Sequence, residues 1–231
     1  MSKQPIDLWI ERHEKEPDTV AKEKLERILK VVELKTPDRV PINGVSGDFQ
    51  CKYTGVTWYE LSYDLDKTRA SVLKLLHDFP SDFAIAFAPM MLEGFVLALA
   101  FADFPDFSNT IRFLTGFYHD ILKDKWSKWP GRELREDQHP QFPGGEYMKP
   151  EEYKKLIENP VEFVHSTILP RACPGLGKPG SPQWNGALIR LGMAMQRITS
   201  YQMSLFGELA KTGSALTPMT NAYTPADIIG D

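Results

Sequence analysis

The sequence predicts an α/β fold. Two short apolar runs, residues 40–43 and 83–89, alternate with two amphipathic segments, 18–34 and 67–79. A third candidate strand, 214–220, follows the longest helical segment. A short unbroken apolar run after a helix suits a central parallel strand covered on both faces. The order helix, strand, loop, helix, strand is the grammar of βαβ units.

The elements follow in order. Residues 18–34 carry Leu25, Ile28, Leu29 and Val32 at helical spacing, with Lys and Glu between them and Asp18 or Thr19 placed as a cap. Residues 36–39 form a turn. Residues 40–43 read as a short buried strand, which Pro41 confines to an early or edge position, and they run into the glycine-bearing loop 44–48. Residues 49–66 read as irregular and aromatic, with Phe49, Tyr53, Trp58, Tyr59 and Tyr63. Asp66 caps the second helix, 67–79, whose inner face is Val72, Leu75, Leu76 and Phe79.

Residues 90–212 read as mostly helical. One helix spans 110–126, and the polar, Pro/Gly-rich stretch 129–147 is expected as a long surface loop. Two short helices with Pro in first position, 150–158 and 160–169, precede a flexible loop, 170–182. The longest helix runs from Pro182 to about Lys211, with Leu188, Leu191, Met195, Ile198, Leu205 and Leu209 as its buried stripe and Gly213 as its stop. The last eight residues, TPADIIGD, combine a capping Thr224, a first-position Pro225 and a first-turn Asp227. They open a helix that the chain does not continue.

At 231 residues the chain is read as a single domain, 1–231, able to bury a sizeable core. A net charge of −4 gives no basic footprint for nucleic acid. The two cysteines, Cys51 and Cys173, form no CxxC pattern, so a reducing, cytoplasmic setting is expected. The polar N-terminus matches neither a signal nor a transit peptide. The longest apolar stretch is broken by Glu93 and Gly94 and falls short of the ~20 residues of a membrane helix.

Three stretches resemble the uroporphyrinogen decarboxylase superfamily. They are TPDRVPI (36–42), YTGVTWYELSYDLDKTRASVLKLLHDFPSDFAIAF (53–87) and FPGGEYMKPEEYKKLIENPVEF (142–163). The third, with its Gly, Tyr–Met pair, Glu-Glu-Tyr and Asn-Pro, is similar to the methyltransferase-like branch. Members of that branch move methyl groups to or from corrinoid cofactors and thiols. The resemblance implies a (β/α)8 TIM-type barrel with its active site at the C-terminal strand ends, and such a barrel needs ~250 residues. Three candidate strands cannot close a barrel. The chain is therefore expected to be the N-terminal half of a longer protein, an incomplete barrel with a helical insertion over about residues 90–212.

The decarboxylases resemble one another in an Arg-rich loop after the first strand, which binds the acidic side chains of the porphyrinogen. Here that loop is NGVSGD, 43–48, with no Arg and one acid. A substrate with many carboxylates wants guanidinium partners, and Asp48 would repel it. The decarboxylases also place an Asp at the end of the second strand. Here that end holds Pro89 and Met90, while Asp82 lies on the opposite rim. Substrate contacts are expected at the strand ends: Asn43, Ser46 and Asp48, then Met90 and Glu93, then Asn221 and Tyr223. Plainer roles compete. Residues 43–48 also read as a self-bonded Gly turn, Glu93 as a helix-start acid, and Asn221 and Tyr223 as the approach to a cap. No catalytic residue is assigned.

The methyl-transfer branch uses zinc to hold a thiol as thiolate, the nucleophilic form. Its His and Cys ligands come late in the barrel, and none is matched here. Zinc is expected only from a C-terminal half beyond Asp231, and a corrinoid only as a partner-bound substrate. His13, His77 and His119 are expected in solvent on charged helix faces, and His139 in a surface loop. Met90, Met91, Met193, Met195 and Met203 read as adaptable core. Three functions are weighed. The first is methyl transfer, with a small methylated substrate or a corrinoid protein as partner. The second is uroporphyrinogen decarboxylation. The third is a non-catalytic half-barrel or helical module that forms an oligomer or pairs with its missing half.

Overall fold

The computed structural model describes residues 16–42, 47–82, 89 and 91–213. Along them run α1 (Pro17–Val32), α2 (Asp48–Thr54), α3 (Trp58–Tyr63), α4 (Leu65–Asp78), β1 (Met91–Glu93), α5 (Phe95–Ala100), α6 (Pro105–Ile111), β2 (Phe113–Thr115), α7 (Gly116–Leu122), α8 (Tyr153–Glu158), α9 (Pro160–Phe163), α10 (Leu169–Ala172) and α11 (Pro182–Lys211). Val164–Ile168, between α9 and α10, is a π-helical turn.

The expected α/β barrel is overturned. Among the described residues the fold is mainly helical, and its strands are β1 and β2, three residues each and antiparallel, with Met91 opposite Thr115 and Glu93 opposite Phe113. No parallel pair of strands and no barrel arc occurs among them. Residues 40–42, expected as part of a strand over 40–43, are held by one residue, Asp82, through its carboxylate and its backbone N–H. The Ile42 N–H donates to Asp82 Oδ2 at 2.7 Å, and the Asp82 N–H donates back to the Ile42 carbonyl at 2.8 Å. A carboxylate stands where a strand would need a ladder partner, and Pro41 has no N–H to give a ladder. Of the other two expected strands, 83–89 and 214–220, all but Pro89 lies outside the described residues.

Local chemistry explains the extra helices. Thr57 and Glu60 form a reciprocal capping box: the Glu60 N–H donates to Thr57 Oγ1 at 3.1 Å, and the Thr57 N–H donates to Glu60 Oε2 at 2.8 Å. That starts α3 inside the stretch expected to be irregular. Gly55 closes α2 with φ of 76°, a left-handed geometry glycine adopts without strain. The single helix expected over 110–126 is divided. α6 ends at Ile111, β2 intervenes, and the Thr115 hydroxyl then caps α7 by accepting from the Tyr118 N–H at 3.3 Å.

The chain divides into two compact units. The first comprises Met1–Val56, Leu65–Ala88 and Ser200–Ala222; the second comprises Thr57–Asp64, Pro89–Thr199 and Tyr223–Asp231. In the first, Val72 and Leu76 of α4 pack with Tyr201, Leu205 and Leu209 of α11. In the second, Leu97, Ile111, Leu114, Leu122, Trp129, Leu169, Leu176 and Leu191 are wholly buried. Gly175 there lies so close to α7 that a Cβ would stand 2.1 Å from the Ile121 carbonyl oxygen. Among the described residues no helix is long and apolar enough to cross a membrane.

Candidate functional site

Most of the residues expected at strand ends cannot be placed together. Asn43, Ser46, Met90, Asn221 and Tyr223 lie outside the described residues. Asp48 opens α2, where its charge meets the helix N-terminus. Glu93 ends β1 opposite Phe113, so it does not start a helix.

The polar centre of the first unit is Asp82, which is fully buried. Arg39 binds it through two nitrogens at 2.7 and 2.8 Å, and Arg27 Nη1 donates to it at 2.6 Å. Arg27 also forks onto Asp38, at 2.7 and 2.6 Å. Burial pushes the Asp82 carboxyl up, but Arg39, the Ile42 N–H and Arg27 outweigh it and hold the pKa below the ordinary value. Lys24 is buried nearby; burial lowers its pKa, Asp82 opposes, and the two arginines add to the lowering.

The polar centre of the second unit is His119, expected in solvent but 3% exposed. Its Nδ1 lies 2.6 Å from Asp124 Oδ1 and its Nε2 3.2 Å from Glu133 Oε1. Asp124 Oδ2 accepts from the Ser127 hydroxyl at 2.5 Å and the Ser127 N–H at 2.9 Å. The buried Trp129 indole donates to Ser127 Oγ at 2.9 Å, and the Trp129 N–H donates to Glu133 Oε2 at 3.1 Å. Burial pulls the imidazole pKa down, but the Asp124 hydrogen bond and charge, then Glu133, more than reverse this, and the pKa stands above its ordinary value. In the same way burial raises the Glu133 carboxyl, while the Trp129 N–H and His119 bring it below the usual range. An imidazolium clasped by two carboxylates is the form this geometry favours, with both nitrogens donating.

No sequence motif marks this cluster. α7 stops at Leu122, and Lys123 takes a left-handed φ of 52°, which turns the chain so that Asp124 comes back to a residue five positions before it. The stretch expected as an open surface loop is thus pinned by a wholly buried Trp129 and by backbone pairing of Lys128 with Gln141, at 2.9 and 3.0 Å.

The cluster contains Ser, His and Asp but is not a nucleophilic triad. A triad needs the hydroxyl and the carboxylate on opposite imidazole nitrogens. Here both sit on the Nδ1 side, and Ser127 gives its proton to Asp124. Among the described residues no group of three or more His, Cys, Asp or Glu side chains is arranged for a metal ion. Burial, then the nearby Asp124 charge, pushes the Cys173 thiol well above its ordinary pKa, which leaves it unreactive at neutral pH.

No family model, curated protein or solved structure matches this chain.

Proposed function

We propose that the chain is part of a cytoplasmic methyl-transfer enzyme. It takes a methyl group from a small methylated compound or a corrinoid protein and passes it toward a corrinoid or thiol acceptor. The starting support is the sequence resemblance over 36–42, 53–87 and 142–163. The observation that favours methyl transfer over porphyrinogen decarboxylation in this reading is the state of two arginines. Arg27 and Arg39, the arginines that precede the 43–48 loop among the described residues of the first unit, are both spent on carboxylates, Arg27 on Asp38 and Asp82 and Arg39 on Asp82. A guanidinium already forked onto an internal acid has few donors left for a porphyrinogen carboxylate. The buried polar clusters are positioning elements in this reading. The zinc and thiol chemistry is assigned to no residue of this chain.

The test is turnover by protein made from the complete reading frame that contains these residues. Mixed with methylcobalamin and a small thiol, it is expected to move the methyl from cobalt to sulfur. The thiol loses its proton, cob(I)alamin is left, and the visible spectrum changes accordingly. Conversion of uroporphyrinogen to coproporphyrinogen, with no methyl movement, would establish the decarboxylase instead.

A further inference from the structure

α1 is turned the opposite way from what its sequence pattern suggests. The residues it buries are Val20, Lys24 and Arg27, two of them charged. The face its spacing marks as inner points out instead: Leu25, Leu29 and Val32 are 46%, 48% and 72% exposed, with Ile28 half-buried. At 3.6 residues per turn, Ala21, Leu25, Ile28, Leu29 and Val32 share one strip roughly 100° wide. The rotation is locked. Arg27 bonds Asp38 and the fully buried Asp82, so turning the strip inward would strip Asp82 of a charge partner in the interior. An apolar strip held outward by an internal ion-pair network is open to the apolar face of another helix.

The charges beside the strip identify the occupant. One flank, Val20, Lys24 and Arg27, is packed inside the unit. The other reads Lys22, Glu26, Lys30 and Glu33, alternating in sign, with Glu26 and Lys30 2.9 Å apart along the helix. A two-fold axis crossing the strip near Ile28 places an antiparallel copy with the same flank beside itself. Glu26 then faces Lys30 of the second copy, and Lys22 faces its Glu33. A parallel copy sets this flank against the one already packed inside the unit and makes neither pair. We infer that the chain associates with a second copy of itself through antiparallel α1 helices. One helix strip offers less than the roughly 800 Å² per partner of a standard interface, so the dimer is weak and depends on concentration. The inference does not depend on the methyl-transfer reading.

Sedimentation velocity of the 231-residue chain, over concentrations from about 1 μM to a few hundred μM, tests it. The mass is expected to rise from one chain to two, and Leu29→Glu to abolish the rise without changing the far-ultraviolet circular dichroism. Glu26→Lys and Lys30→Glu, both on the solvated flank, each place like charges across the axis. Each is expected to weaken association about tenfold or more. In a mixed pair, one chain carrying Glu26→Lys and the other Lys30→Glu, opposite charges again face each other at both contacts. Association therefore returns in the mixture alone. A chain that stays monomeric, an association that Leu29→Glu leaves intact, or a mixture no tighter than its components overturns the proposal. If Leu29→Glu fails to fold, the charge variants and their mixture decide alone.

Discussion

His119 carries the pH dependence of the second unit. Its pKa stands above the ordinary 6.5, so its stabilising contribution is complete below 6.5 and disappears as pH rises through the raised value. Glu133 stands below the ordinary 4.5, so its contribution is complete above 4.5 and fades as pH falls through the lowered value. The contact of His119 with its carboxylates is therefore strongest from about pH 4.5 to 6.5, and it weakens as pH rises through the raised His119 value or falls through the lowered Glu133 value. Urea midpoints between pH 5 and 9 should fall for the native chain and flatten for His119→Gln, which cannot be charged. Asp124→Ala leaves a buried imidazolium with only Glu133. It is expected to cost about 3 kcal/mol or more at pH 6, read from the same denaturation curves. In the first unit Asp82→Ala removes the partner of Arg39 and of one arm of Arg27; Arg39 is half-exposed and Arg27 keeps Asp38, so a smaller loss is expected, read from the same curves. These residues are hidden in the sequence for one reason. His119 and Asp124 are five apart, a spacing that meets on no regular helix, and only the left-handed turn at Lys123 joins them.

At the scale of elements, boundaries follow local chemistry where the residues are strong. α11 runs from Pro182 to Lys211 as its apolar spacing predicts, and Gly213 takes a φ of 68° just beyond it. Leu191, Met195, Ile198, Leu205 and Leu209 are all buried along it. Leu205→Ala should open a cavity in the packing with Val72 and Leu76 and cost about 2–5 kcal/mol, measured by thermal or urea unfolding. The composition of the loop before α11 predicts flexibility, yet Gly175 lies against the carbonyl of Ile121. Gly175→Ala must move backbone rather than a side-chain tip. Its melting temperature should drop by more than that of Gly186→Ala, whose added Cβ meets nothing within 4 Å. Such a close approach is invisible in a Pro/Gly-rich string, because Gly is equally common where the chain is loose and where it is tight.

At the scale of the whole molecule, the sequence determined amphipathic periodicity, caps and stops. α1, α4 and α11 lie where spacing placed them, within a few residues. It also determined the compositional bounds: a modest negative charge and no apolar run long enough for a membrane helix. Only the tertiary structure decided the architecture. The βαβ grammar rested on apolar runs, and a short apolar run fits a buried strand or another buried segment equally well. At residues 40–42 the decision went to a carboxylate forty positions away, because Asp82 supplies both acceptor and donor to Ile42. The tertiary structure also decided which face of α1 is inside. Periodicity assigns one apolar face to a helix but does not say that an Arg27–Asp82 bond will hold that face in solvent. A contact between residues far apart in the chain can outweigh local pattern where a buried charge must be satisfied, since removing one partner of a buried ion pair costs about 3–5 kcal/mol, on the order of what leaving these partly exposed aliphatic side chains in solvent forgoes.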